Sequence, residues 1–140
     1  MPNHVRNIIM FKATEEDAQK IFEAVIIENE FNFETLIPRS LNVYKDYTCY
    51  EWNIENWGTK WNAYETEFSW KNGNAEIFFW TAWSVPYPVI IAFANRFMID
   101  FEFSYIDECE SFQGEESWKI DKETKKPFRT VLHENDMCNE

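Results

Sequence analysis

The sequence predicts an α+β domain in the order strand, helix, strand, strand, helix, strand, and three observations carry that expectation. Two aromatic and β-branched runs, Ala63 to Trp70 and Ala75 to Ala82, flank Lys71-Asn72-Gly73-Asn74, whose Asn-Gly pair supplies the positive φ that tight hairpins need. Two apolar stripes at helical spacing lie one on each side of that hairpin. After the second stripe, Ile99, Phe101, Phe103 and Tyr105 alternate with Asp100, Glu102 and Ser104, the pattern of a strand with one face in a core and one in water.

Taken in order, Val5 to Phe11 reads as a central strand, with Val5, Ile9 and Phe11 on one side and Ile8 and Met10 on the other, buried on both. Thr14 is placed to cap a helix, with Asp17 where a capping box has Glu or Gln and Glu15 and Glu16 at the positive helix end. Ala18, Ile21, Phe22, Val25 and Ile26 form its apolar stripe, and the helix is expected to run to about Asn29. Phe31 to Pro38 reads as an extended connection, because the alternation ends at proline. Arg39 to Tyr50 gives no firm pattern. Glu51 to Asn56 reads as a short helix with Trp52 inward and Gly58 as its stop.

Beyond the hairpin, Pro86 and Pro88 end the strand and pre-set a helix start, with Val89, Ile90, Phe93, Ala94 and Phe97 at helical spacing. Phe112 to Ile120 and Pro127 to His133 read as a further hairpin around Asp121 to Lys126, with Pro127 marking an edge and a frayed tail from Glu134. The element order is that of the split βαβ unit of ferredoxin-like folds, with an antiparallel sheet, a Trp-rich insertion before the central hairpin and an extra C-terminal hairpin. Residues 1–140 are read as one domain.

Composition narrows the function classes. With 25 acidic and 13 basic residues the net charge is −12, which repels phosphate backbones and disfavours direct nucleic-acid binding while favouring basic protein surfaces. Aromatic residues make up 19% of the chain, enough large apolar area that packing need not depend on disulfides or metal. Cys49, Cys109 and Cys138 are odd in number and widely spaced, and the N-terminal stretch lacks the apolar run of a leader, so a reducing cytosol is expected. Charged residues interrupt every hydrophobic run, so no membrane span is expected.

The residues also carry a resemblance. Pro2-Asn3-His4, Ile37-Pro38, Asn56-Trp57-Gly58-Thr59-Lys60-Trp61, Thr81-Ala82-Trp83-Ser84 with Pro86 and Pro88, and a late Gly114 together resemble the YubB-type ferredoxin-like domain family of phages and conjugative plasmids. Val85 stands where relatives tend to have proline after TAWS. The resemblance extends over most of the chain. It implies the fold and a setting in mobile elements that contend with host defences; it brings no established activity.

Two groups of residues are candidate sites, each with a plain alternative. Trp57 and Trp61 are four apart with Lys60 between them, so on a helical turn they would share a face and clamp a nucleotide or small ligand, or else plug the core. Asp107, Glu108, Glu110, Glu115 and Glu116 lie within an acidic run, with Asp100, Glu102, Asp121 and Glu123, that imitates a row of phosphates to a cationic partner, or is a solvated face. His4 and His133 fit no metal-ligand spacing, the three glycines form no phosphate loop, and Cys109 lies between two glutamates that disfavour its thiolate. No catalytic residue, cofactor or metal is expected, a carboxylate-bound Mg²⁺ enzyme being the weakest alternative. The leading expectation is a non-enzymatic mobile-element protein in the host cytoplasm. It would inhibit a host defence protein with a basic surface, for example as an anti-CRISPR acting on the nucleic-acid cleft of a CRISPR effector.

Overall fold

A computed structural model describes residues 3–39 and 49–136. Strand β1 (His4–Lys12) is followed by α1 (Glu15–Val25), a small hairpin of β2 (Ile26–Ile27) and β3 (Glu30–Phe31), a 3-10 turn (Phe33–Thr35) and α2 (Cys49–Trp57). Then come β4 (Tyr64–Lys71), β5 (Asn74–Ala82), α3 (Tyr87–Phe97), β6 (Phe101–Asp107), β7 (Phe112–Ile120) and β8 (Pro127–Asp136). Six strands form one sheet in the order β4-β5-β1-β6-β7-β8, with every neighbouring pair antiparallel. Its first four positions are the ferredoxin-like arrangement, and the β7–β8 hairpin extends that sheet on the β6 side.

Local chemistry explains most boundaries. Asn72 and Gly73 both have positive φ, 52° and 85°, which lets a two-residue turn join β4 to β5 with Lys71 opposite Asn74. The Thr14 side chain accepts a hydrogen bond from the Asp17 N–H and caps α1. That helix stops at Val25, short of the expected Asn29. The β-branched run Val25-Ile26-Ile27 turns instead into the β2–β3 hairpin, whose turn residues Glu28 and Asn29 take positive φ without glycine. The tail expected to fray from Glu134 remains paired: Glu134 lies opposite Gly114 and Asn135 opposite Gln113. Cys138 and the rest of the tail beyond residue 136 lie outside the described residues.

Helices cover one face of the sheet. Val5, Ile9 and Phe11 of β1, Ile77 and Phe79 of β5 and Phe101 and Phe103 of β6 are buried there with Ala18, Ile21, Phe22 and Val25 of α1 and Val89, Ile90, Phe93 and Ala94 of α3. Phe11 meets Phe22 of α1 at 6.3 Å and Phe93 of α3 at 6.4 Å, so both helices lie on the same side of the central strand. The segment from α2 to β4 packs on that side too. Trp57 is fully buried against Phe33, which also meets Phe79, and Gly58, Thr59 and Ser84 stitch the segment to the end of β5. Ser84 Oγ donates to the Gly58 carbonyl at 2.6 Å, Thr59 Oγ1 donates to the Ala82 carbonyl at 2.7 Å, and a Cβ on Gly58 would come within 2.7 Å of Pro88 Cδ. Among the described residues no helix lies on the other face of the sheet. Ile8 and Met10, expected to be buried, are therefore half-buried at its centre.

Candidate functional site

The pairing registers turn the uncovered face into a grid, because residues opposite one another in adjacent strands point to the same side. One row reads Tyr64, Trp80, Arg6, Ile106, Gln113. The next reads Glu67, Phe78, Ile8, Ser104, Glu115, His133. A third reads Ser69, Glu76, Met10, Glu102, Ser117, Thr130. A last row holds Lys71, Asn74 and Lys12, with Lys119 and Phe128 beyond. The two middle rows therefore hold four glutamates and no lysine or arginine. All four glutamates are exposed, and none forms an ion pair among the described residues.

Aromatic rings occupy one side of this grid. Phe78 and Trp80 meet edge to face at 6.2 Å, and His4 sets its ring against Trp80 at 6.5 Å and Tyr64 at 5.6 Å. His4 Nδ1 and the Tyr64 hydroxyl are hydrogen-bonded. Burial first, then Glu108 and Glu65, push the Tyr64 phenol up to about 12, so it is neutral at physiological pH. The Arg6 guanidinium lies over the Phe78 ring, 5.6 Å from its centroid. Beside Arg6 a shallow depression of about 300 Å³ is floored by Ile8 and Ile106 and walled by Ser104, Glu115 and His133.

The two sequence-derived sites fare differently. The clamp is not formed: Trp57 has no exposed surface, donates its Nε1–H to the Ile37 carbonyl at 2.9 Å and packs on Phe33 and Trp52. The physical reason is Gly58. At φ +80° it ends α2 one residue after Trp57, so the four-residue spacing to Trp61 no longer places the rings on a common face. Trp61 pairs instead with Tyr50 at 6.3 Å, and Lys60 Nζ sits 5.2 Å from both rings.

In the acidic run, Glu108, Glu110 and Glu115 are exposed, but Asp107 and Glu116 are each 1% exposed and present no charge to a partner. Asp107 is in phase with Phe101, Phe103 and Tyr105 of β6 and caps the β6–β7 turn. It accepts hydrogen bonds from Asn3 Nδ2 at 2.9 Å, Ser111 Oγ at 2.5 Å and the Phe112 N–H at 2.9 Å. Burial pushes its carboxyl up, but these hydrogen bonds outweigh burial and hold it below the ordinary 3.8. Glu116 is in phase with Trp118. It accepts from Tyr87 Oη at 2.5 Å and Trp118 Nε1 at 3.0 Å, and Arg129 Nη1 stands 3.6 Å from it. Burial, and then the hydrogen bond to Glu116, push the Tyr87 phenol far up, so Tyr87 acts as a fixed donor. Glu116 is the pin that holds the added hairpin to the start of α3.

The grid as a whole escaped sequence reasoning, which concentrated on the alternation that builds the core. The signal was present in β5, where Phe78 and Trp80 fall on the phase opposite to Ile77 and Phe79. Among the described residues no three His, Cys, Asp or Glu side chains gather as a metal set, and no helix is long and apolar enough to cross a membrane.

Comparison with known proteins adds a family. A family model described as a ferredoxin-like domain in Api92-like protein matches residues 56–126, just over half of the chain, from the end of α2 through the β7–β8 turn. No curated protein and no solved structure matches.

Proposed function

Because this chain belongs to the family of ferredoxin-like domains in Api92-like proteins, we propose that it works as a non-enzymatic interaction protein of a mobile genetic element. In the host cytoplasm it would occupy the basic cleft of a host defence protein, a CRISPR effector being the example. The setting rests on the motif resemblance. The mode of action rests on one observation: the uncovered sheet face carries Glu67, Glu76, Glu102 and Glu115 as exposed carboxylates without ion-pair partners among the described residues, in a chain of net charge −12. These carboxylates form a band in the two middle rows, with Arg6 in the row on one side and Lys12, Lys71 and Lys119 in the row on the other. In a chain of net charge −12 that band repels phosphates and attracts cationic protein, steering association without a catalytic group. Glu108 and Glu110 at the β6–β7 turn add to its rim.

A pull-down from host lysate at low and high salt tests this reading, with the parent and the quadruple Glu67→Gln, Glu76→Gln, Glu102→Gln, Glu115→Gln variant as bait. The parent should retain a basic protein at low salt and lose it as the Debye length falls to about 3 Å at 1 M, and the variant should retain much less. Equal capture by both would remove the open face from the interaction.

A further inference from the structure

We infer that the chemistry recognised by the open face is the arginine side chain of a protein partner, not the lysine side chain and not a nucleic acid. This rests on the basic-partner reading above and specifies how that partner is read. Carboxylates alone would not distinguish the two cations. Rings beside carboxylates do, because a guanidinium is planar, weakly hydrated, stacks on aromatic faces and forms paired hydrogen bonds with a carboxylate, whereas an ammonium is a compact and strongly hydrated charge.

The grid supplies that combination. Glu67 lies directly opposite Phe78 across the β4–β5 pair, and Glu76 lies two residues from Phe78 on the same side of β5. A guanidinium placed over these rings thus finds a carboxylate one strand away, about 4.8 Å, or one step along its own strand, about 7 Å. Arg6 already makes half of this contact by holding its own guanidinium over Phe78 on the same face, so a partner's arginine engages that ring by displacing Arg6. On the far side of Met10, Glu102 repeats the carboxylate one row from Ile8 and Ser104, so an arginine-bearing surface could engage at more than one point. A nucleic acid would stack on Phe78 and Trp80 equally well, but its phosphates would then meet Glu67, Glu76, Glu102 and Glu115.

The test titrates the full isotope-labelled chain with deca-arginine, deca-lysine and a single-stranded oligonucleotide, following backbone amide shifts and tryptophan fluorescence. Deca-arginine should perturb Arg6, Ile8, Phe78 and Trp80 and bind roughly fivefold or more tightly than deca-lysine. Phe78→Ala should remove that preference. Glu67→Gln with Glu76→Gln, which leaves every ring in place, should weaken both peptides and keep the parental melting temperature. Equal affinity for the two peptides, shifts confined to Glu15, Glu16, Asp17 and Glu23 of α1, preferential binding of the oligonucleotide, or no binding would each overturn the inference. If arginine is not preferred while the lysate pull-down still recovers a basic protein in a salt-dependent way, the inference alone falls and the proposed function stands.

Discussion

The two faces of the six-stranded sheet are built from the same strands in alternation, yet they have opposite physical tasks. On the covered face, Phe79 has no exposed surface and sets its ring edge-on to Phe31 at 4.8 Å and Phe33 at 5.9 Å. One residue earlier, Phe78 faces the other way, half-buried beneath the Arg6 guanidinium. Residue type does not separate the faces, since each carries phenylalanine and tryptophan. What separates them is whether the neighbours are apolar helix residues or charged strand residues. An aromatic ring in a strand is therefore evidence of a role only once its phase is known.

The sharpest break of this comparison is a pair of adjacent truncations. Phe79→Ala should cost about 3–5 kcal/mol through lost burial and an unfilled cavity, and Phe78→Ala should cost less than about 2 kcal/mol because part of that ring already meets water. Urea unfolding of both variants measures this, and similar losses would mean the open face is a core in its own right.

Next comes the same contrast with carboxylates. Glu116→Leu leaves Tyr87 Oη and Trp118 Nε1 without their acceptor, and such stranded buried donors cost roughly 1–3 kcal/mol. Glu115→Leu, next along the chain but on the open face, should change stability by no more than about 0.5 kcal/mol. Thermal melts of the two variants decide between a structural pin and a surface charge.

A substitution belonging to neither face calibrates both. Gly73→Val places a β-branched side chain at φ +85° in open space, so only backbone strain acts, about 1–2 kcal/mol. A melting temperature equal to the parent's would mean the turn relaxes to another geometry without penalty.

The subtlest effect is a pH dependence. Asp107 has a carboxyl pKa held below 3.8 in the folded chain, so its hydrogen bonds stabilise the fold fully above that ordinary value. That contribution is lost as pH falls through the lowered folded value. Asp107→Asn removes this linkage, and the stability gap between parent and variant should be widest near neutral pH and narrow as the solution is acidified below 3.8. A gap independent of pH in denaturant unfolding would mean the carboxylate's charge is irrelevant to its role.

How much of this was legible in the sequence depended on whether the deciding signal was local. The Asn72-Gly73 turn, the Thr14 cap and the alternation of Phe101, Phe103 and Tyr105 are local, and the structure follows them. The end of α1 was not, because positive φ at Glu28 and Asn29 carries no glycine to announce it. The clamp misled because a spacing of four has meaning only inside a continuous helix, and Gly58 ends that helix between the two tryptophans. A dense acidic run reads as one surface, but Asp107 and Glu116 do not lie on it. Strand phase assigns both to the same side as Phe103 and Trp118, and that phase could have been read. The grid of the open face needed the strand order itself, which brings residues 6, 78 and 115 within a few strands of one another and which no local pattern specifies.

One consequence follows from the stitching of Gly58, Thr59 and Ser84. The fragments Trp57-Gly58-Thr59 and Ala82 to Pro88 are separate words in the sequence but a single object in space, joined by two hydrogen bonds and by a contact that leaves no room for a Cβ on Gly58. Their sequence freedom is thus shared: a larger residue at 58 needs a smaller or displaced one at 88, and neither fragment can drift through substitutions alone. Relatives of this chain should change the two together or keep both, and the combined variant of Gly58→Ala with Pro88→Ala should lose less stability than the sum of its parts.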